Sequence, residues 1–208
     1  MSRGDTETRR VQRIYDRMAP RYDRVIAVAE RALFAGGREW ATSHAHGDVV
    51  ELGVGTGRNL PLFPADARVV GIDVSPRMLD IARRRAEALG RSFDLRLGDA
   101  QALDLPDASA DVVVSTLTMC SIPDAAAAVR EAARVLRPGG RLVLLEHVAS
   151  DRPAVLSAQR LLEPLAVRLQ GDHLLREPEQ QVREAGLRID RVERSRLGIT
   201  LRLLAHRR

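Results

Sequence analysis

The chain has 208 residues, 45% of them hydrophobic, and a formal net charge of +5. That length suits one domain with a full core. A single cysteine excludes a disulfide framework and a multi-cysteine metal site, and the absence of lysine excludes a Schiff-base lysine or a lysine-dependent phosphate loop.

All 33 basic residues are arginine, and they alternate with 28 acids along helical faces. Aromatics at 3% are too few for base-stacking platforms, so no nucleic-acid partner is expected. An arginine-rich face suits an anionic membrane surface instead. No apolar run reaches membrane-spanning length. The expectation is a cytoplasmic protein without a cleavable signal, peripheral at the inner membrane face if it meets lipid.

Val11, Ile14 and Met18 recur at helical spacing, with Arg9, Arg10, Arg13 and Arg17 on other faces. Pro20 is expected to interrupt that helix, and a second runs from Arg21 to Phe34 until Gly36-Gly37. Residues 1–47 read as a helical lid and 48–208 as the rest of one structural domain. A strand follows at Asp48 to Leu52, then a short helix from Arg58, then a strand at Arg68 to Asp73. Ser75 and Pro76 supply the N-cap and first-turn proline of a helix that stops at Gly90. Phe93 to Leu97 and the stretch DVVVST (111–116) read as strands. Pro123 and Asp124 open an alanine-rich helix to Leu136, and the turn RPGG precedes a strand at Arg141 to Glu146. The tail carries helices at Ala154 to Leu169 and Glu177 to Ala185, then strands at Leu187 to Val192 and Ile199 to His206. This alternation predicts an α/β fold, a mostly parallel sheet with helices on both faces.

The most informative stretch is VVELGVGTGRN, residues 49–59. An apolar strand runs into Glu51, then Gly53, Gly55 and Gly57 alternate, and the next strand ends in Asp73. Strand, glycine turn, helix and a strand ending in a carboxylate is the layout of a nucleotide-binding βαβ unit. The glycines let backbone approach a ligand closely, and Asp73 can accept from both ribose hydroxyls. Dinucleotide dehydrogenases share this layout, but the spacing here is G-x-G-x-G rather than G-x-G-x-x-G, and Glu51 stands just before the turn.

Four further segments follow in order: GIDVSPRML, GDAQAL, DVVVSTLTMCSI and VLRPGGRLVLLEH. Together with the glycine turn they resemble the class I S-adenosylmethionine-dependent methyltransferases of the methyltransferase-11 type. The resemblance implies a Rossmann-like fold with a seven-stranded, mostly parallel sheet, an antiparallel strand near the C-terminus and the N-terminal helical lid. It implies S-adenosylmethionine as methyl donor and S-adenosylhomocysteine as product. Cofactor contacts are expected at Tyr15, Glu51, Gly53, Gly55, Gly57, Asn59, Asp73, Val74, Met78, Asp99, Ala100 and Thr116. Asp73 would meet the ribose, Met78 the adenine ring, and Asp99 its amino group.

Methyl transfer needs alignment and desolvation more than a fixed catalytic signature, and a base only where the acceptor loses a proton. His147, at a strand tip, is the first candidate; His173, beside Asp172, is the second; Tyr22 on the lid is the third. The pair His44-x-His46 reads as a polar loop, and no metal is expected. Cys120 reads as a wall or core residue.

The segment YDRMAPRYD resembles the lid of phosphatidylethanolamine N-methyltransferases and of ubiquinone and menaquinone methyltransferases. The Arg-Asn pair usual after the fourth strand of the quinone enzymes is replaced by Leu117-Thr118-Met119-Cys120. A second series, Cys120-Ser121-Ile122, Glu146 to Ala149, Gln159 to Pro164 and Gly171-Asp172 through Glu177, is similar to methyltransferase-like enzymes acting on alkyl thiols. The expected acceptor is therefore small or lipid-like and apolar, with amine and thiol acceptors both open. Leu117, Met119, Ile122, Leu161, Leu162 and Leu165 are the expected wall of its pocket. A cofactor-binding module acting through partners is the non-enzymatic alternative.

Overall fold

The computed structural model describes residues 3–195 and 197–208. The helices are α1 (Arg3–Leu33), α2 (Gly37–Thr42), α3 (Pro76–Leu89), α4 (Ala125–Val135), α5 (Pro153–Gln170) and α6 (Pro178–Glu184). The strands are β1 (Asp48–Leu52), β2 (Arg68–Asp73), β3 (Asp94–Leu97), β4 (Ala110–Thr116), β5 (Leu136–His147), β6 (Leu187–Arg194) and β7 (Thr200–Arg207). They form one seven-stranded sheet in the order β3-β2-β1-β4-β5-β7-β6. Neighbours from β3 through β5 pair in parallel, and β7 runs antiparallel to both β5 and β6. The strand order reverses between β1 and β4, which opens a crevice at their carboxyl ends.

Alternate strand residues feed two cores. Val50, Leu52, Val113, Leu142 and Leu144 pack under α4 on one face. Val49, Val112, Val114, Val143 and Leu145 meet Ala41 of α2 and Leu79, Ala82 and Ala86 of α3 on the other. Each fully buried valine or leucine contributes about 1.5–3 kcal/mol. Ser75 caps α3 by accepting from the Met78 N–H at 3.1 Å, and Gly90 ends it in the left-handed region. Asp124 caps α4 through the Ala127 N–H at 2.9 Å.

Two local expectations are corrected. The helix expected from Arg58 is a single 3-10 turn at Leu60–Leu62. The RPGG segment lies inside the span of β5, where the register shifts, rather than before it.

The largest correction is at Pro20, which lies inside one continuous 31-residue helix. Its ring removes one hydrogen bond, yet contacts on both sides keep the helix in line. Asp16 accepts from the Ser75 hydroxyl at 2.6 Å before the proline. After it, Asp23 accepts from the Thr56 hydroxyl at 2.6 Å, and Glu30 takes hydrogen bonds from Arg38 and Arg58. Side chains at 16, 23 and 30 share one stripe of the helix, turned towards the sheet. Pro20→Ala should restore the missing bond and stabilise the protein by about 1–3 kcal/mol. Thermal unfolding checks this, and a lowered Tm would mean that the proline is needed for the helix path.

Candidate active site

Two cavities meet at the carboxyl ends of the strands, both roofed by α1. The first is lined by the glycine turn at Gly53 to Thr56, by Ile72 to Val74, Met78 and Gly98 to Ala100, and by Thr116 to Thr118. Val11, Tyr15 and Tyr22 of α1 cover it, and Arg38 and Arg58 reach its edge. Tyr15, Tyr22 and Leu117 also line the second cavity, with Met18, Val25, Ile26, Leu33, Phe34, Cys120, His147, Asp172 and Leu174.

Gly53 stands at φ +66°, and an added Cβ would come within 2.2 Å of the Thr118 side chain. Gly55, at φ +55°, is different: a Cβ there would meet only the Gly53 carbonyl oxygen, at 3.9 Å, and otherwise stand in open space. The turn is thus a cradle that side chains would fill. The Gly55 N–H donates to Asp73 Oδ2 and the Ser75 N–H to Oδ1, both at 2.8 Å. Burial pushes the Asp73 carboxyl up to about 6, against the pull of these two backbone donors. Each oxygen keeps lone-pair capacity towards the cavity. Asp99 is held by the Gln101 N–H at 2.9 Å, by the Gln101 side chain, and by the Thr8 hydroxyl of α1 at 3.2 Å.

Of the twelve residues expected to meet a cofactor, Tyr15, Gly53, Gly55, Asp73, Val74, Met78, Asp99, Ala100 and Thr116 line the first cavity. Glu51, Gly57 and Asn59 do not; they form the layer behind it. Asn59 donates to Glu51 Oε1 at 2.7 Å and to the Thr116 hydroxyl at 3.0 Å, and accepts from Arg38 at 2.9 Å. Glu51 Oε2 is buried with no partner among the described residues. Burial drives the Glu51 carboxyl up to about 8, so it holds its proton at neutral pH. Gly57 at φ +77° lets the chain pass Leu60 and Ala82.

Among the three catalytic candidates, Tyr22 and His147 line the second cavity and His173 does not. His173 Nδ1 sits 3.3 Å from Glu163, and its backbone N–H donates to the Cys120 carbonyl at 2.8 Å. It therefore anchors the loop after α5. Burial holds His147 below its ordinary pKa, so the imidazole is neutral, while Glu163 pulls the other way. Burial raises both Tyr15 and Tyr22, keeping each phenol protonated.

Two of the six residues expected in the apolar wall take that place. Leu117 and Ile122 line the cavities and Met119 is buried in the core. Leu161, Leu162 and Leu165 instead face outward on α5, with 82%, 53% and 55% of their surface exposed. The inner face of α5 carries Gln159, which bonds the Ser150 N–H and the Val148 carbonyl, and Glu163.

Four site residues were not picked out from the sequence. Arg38 is one arginine among 33 with no distinguishing neighbour, and Arg58, although it follows Gly57 of the glycine turn, had no expected role. Asp172 stands in the sequence beside His173 and in the series similar to the alkyl-thiol enzymes, without an expected role, yet its Oδ1 accepts from the Tyr15 hydroxyl at 3.1 Å and lies 3.8 Å from Cys120 Sγ. Glu146 is buried and accepts from the Ser115 hydroxyl at 2.6 Å and from the N–H groups of Thr118 and Met119 at 3.0 and 3.2 Å. It pins the turn in which Leu117 takes φ +57°, a strained value for a leucine and one located where the two cavities join.

Gly53→Ala should destabilise the protein by about 1–3 kcal/mol, because it adds the Thr118 clash to an unfavourable φ. Gly90→Ala, with the same sign of φ but open space around it, should cost only about 1 kcal/mol. Denaturant unfolding of both variants checks the difference; equal losses would mean that Thr118 moves aside freely.

Residues 50–144 match the family described as a methyltransferase domain. Over 118 residues the chain is 40% identical to a phosphatidylethanolamine N-methyltransferase of Cereibacter sphaeroides, covering 56% of this chain and 58% of that protein. Over 135 residues it is 36% identical to a thiol S-methyltransferase of Homo sapiens, covering 62% and 54%. The chain thus spans less than three-fifths of the length of either relative. Its fold matches a crystal structure from Thermotoga maritima described as an S-adenosylmethionine-dependent methyltransferase, possible histamine N-methyltransferase. The TM-score is 0.72 at 23% identity, over 94% of this chain and 99% of that one. The glycine cradle, the acid at the tip of β2 and the sheet order all agree with this likeness: residues 50–144 carry a methyltransferase domain, and the chain has the class I S-adenosylmethionine-dependent methyltransferase fold.

Proposed function

We propose that this protein transfers a methyl group from S-adenosylmethionine, held in the first cavity, to a small or lipid-like apolar acceptor in the second. The observation that carries this reading is the junction of the two cavities at Tyr15, Tyr22 and Leu117. A donor on one side of that junction and an acceptor on the other would face each other across buried, water-poor space. The cofactor supplies an electrophilic methyl on a sulfonium, and alignment and desolvation are the work left to the protein.

The residues fit such a cofactor by their own chemistry. Gly53 and Gly55 leave room for backbone to meet its amino-acid end. Asp73 offers two carboxylate oxygens to the ribose hydroxyls, Met78 an apolar face to the adenine, and Asp99 an acceptor to the adenine amino group. Glu51 and Asn59 act behind the turn, holding its shape through Thr116 and Arg38. Tyr22 and His147 border the acceptor side. The relative named for phosphatidylethanolamine favours an acceptor with an apolar body, and the relative named for thiols favours a protic sulfur head.

Ribose hydroxyls donate to the ionised form of Asp73, so affinity should fall as pH drops through about 6. Asp73→Ala should weaken S-adenosylhomocysteine binding by about 100-fold or more, since two hydrogen bonds to a charged group are lost. Calorimetry at several pH values checks both, and tighter binding of NAD than of S-adenosylhomocysteine would overturn the reading.

We further propose that the outer faces of α1 and α5 rest on an anionic lipid surface. The acids Asp16, Asp23 and Glu30 of α1 turn inward, while Arg13, Arg17, Arg21 and Arg24 are exposed without an ion-pair partner among the described residues. On α5, Leu161, Leu165 and Leu169 form an exposed apolar stripe at i, i+4, i+8, and Val25 and Leu33 stand exposed at the second cavity. No described helix is long and apolar enough to cross a membrane. In flotation assays the protein should rise with phosphatidylglycerol-containing vesicles at low salt and not with pure phosphatidylcholine. Reversing Arg17 and Arg21 to Glu should cut that binding by about tenfold or more. Equal flotation with both lipids, or none with either, would refute the lipid-facing role.

A further inference from the structure

The second cavity has a charge composition unlike the rest of the molecule. Its described lining holds ten uncharged side chains, the neutral imidazole of His147 and one carboxyl group, Asp172. No arginine lines it, although the chain carries 33. The nearest groups that titrate come from four elements: Tyr15 and Tyr22 of α1, Cys120 after β4, Glu146 and His147 at the end of β5, and Glu163 of α5. The guanidinium of Arg176, beyond Cys120, donates to the carbonyls of Ile122 and Pro123 and lies outside the lining. An anion entering this space would meet Asp172 with no cation among the lining groups, Arg38 and Arg176 acting only from outside the lining.

Asp172 is also placed to act. It follows Gly171, whose φ of +75° turns the chain off α5 and lets it pass Val11 and Ile14 of α1. The Tyr15 hydroxyl donates to it at 3.1 Å, and Tyr15 lines both cavities. Burial raises its carboxyl to about 6, opposed by the hydrogen bonds from Tyr15 and Cys120. It is therefore ionised at neutral pH and more basic than an ordinary carboxylate.

We propose that Asp172 is the proton acceptor of the reaction, and that the second cavity admits acceptors with a protic, neutral or cationic head on an apolar body and excludes anions. This rests on the methyl-transfer reading above. The acceptor enters with its proton still attached. Its X–H bond gives the proton to an Asp172 oxygen, and the pair left on X forms the bond to the methyl carbon. The carbon–sulfur bond breaks with its pair moving to sulfur, which ends neutral. Tyr15 is a positioning residue: its hydroxyl fixes which Asp172 oxygen faces the cavity.

The test compares octylamine with octanoate, amphiphiles of equal chain length and opposite head charge. Calorimetry is done on the full chain saturated with S-adenosylhomocysteine. The wild type should bind octylamine at least about tenfold more tightly than octanoate, and Asp172→Asn should remove that preference. Labelled-methyl transfer to octylamine and to 1-octanethiol gives the second readout. With S-adenosylmethionine kept saturating at every pH, so that Asp73 does not contribute, turnover of the preferred acceptor should rise with pH through an inflection near 6, and Asp172→Asn should lose both rate and inflection. Tyr15→Phe should keep the inflection but move it upward, because the carboxylate loses a donor. Equal binding of the two amphiphiles, binding of neither, or an inflection that survives in Asp172→Asn overturns the proposal. So does a wild type that binds S-adenosylhomocysteine and methylates neither probe. Failure of the wild type to bind S-adenosylhomocysteine at all would instead defeat the cofactor reading.

Discussion

The helix α1 is held across the sheet tips by three carboxylates, and both cavities exist because of them. Asp16, Asp23 and Glu30 recur every seven residues and reach Ser75 on α3, Thr56 in the glycine turn, and Arg38 and Arg58 at the cavity edge. These are charge-assisted bonds in partly buried positions, each worth about 1.5–3 kcal/mol against the unpaired state. Without them a helix with Pro20 at its centre would have little reason to stay in one piece. The same stripe also decides the outer surface: once the acids turn inward, Arg13, Arg17, Arg21 and Arg24 are left facing solvent.

Closure by α1 sets the electrostatics beneath it. Asp73 and Asp172 both lie under the helix and both are shifted upward mainly by loss of water. They differ in what opposes that loss. Asp73 is steadied by backbone N–H groups of the turn, which suits a fixed binding role. Asp172 is steadied by a tyrosine hydroxyl and a thiol, which are weaker donors and leave it freer to take a proton. Glu51 and Glu146 lie deeper, and burial drives them up as well. Glu51 shapes the turn before the first cavity, and Glu146 holds the strained turn around Leu117 between the two. Fold likeness alone does not decide the reaction, so the functional argument rests on these groups.

Much of this was legible in the sequence for a local reason. Strand and helix periods, Ser75 and Pro76 at the start of α3, Gly90 at its end and the alternating glycines each act within a few residues. The bounds of β2 and the start of α4 follow directly. The errors share a cause. Pro20 was read as a break because its local cost is real, but contacts to residues 56 and 75 outweigh it. Leu161, Leu162 and Leu165 were assigned to a pocket wall because their spacing marks an apolar face, and spacing does not say which way the face turns. Polar Gln159 and Glu163 took the inner side of α5 because buried backbone groups of Ser150, Val148 and Leu174 needed partners.

The sequence by itself determined the order of the seven strands, the glycine turn, the acids at the tips of β2 and β3, and through them the likeness to a methyltransferase domain. These depend on backbone conformation and on side-chain period, which are properties of neighbouring residues. Only the tertiary structure decided that α1 is continuous, that Arg38 and Asp172 line the two cavities, and that His173 lines neither. Tyr15 and Asp172 are 157 residues apart, as are Arg10 and the Val167 carbonyl it bonds. No local pattern records such a meeting, because the free energy that fixes it lies in burial and hydrogen bonds formed when the helix closes over the sheet.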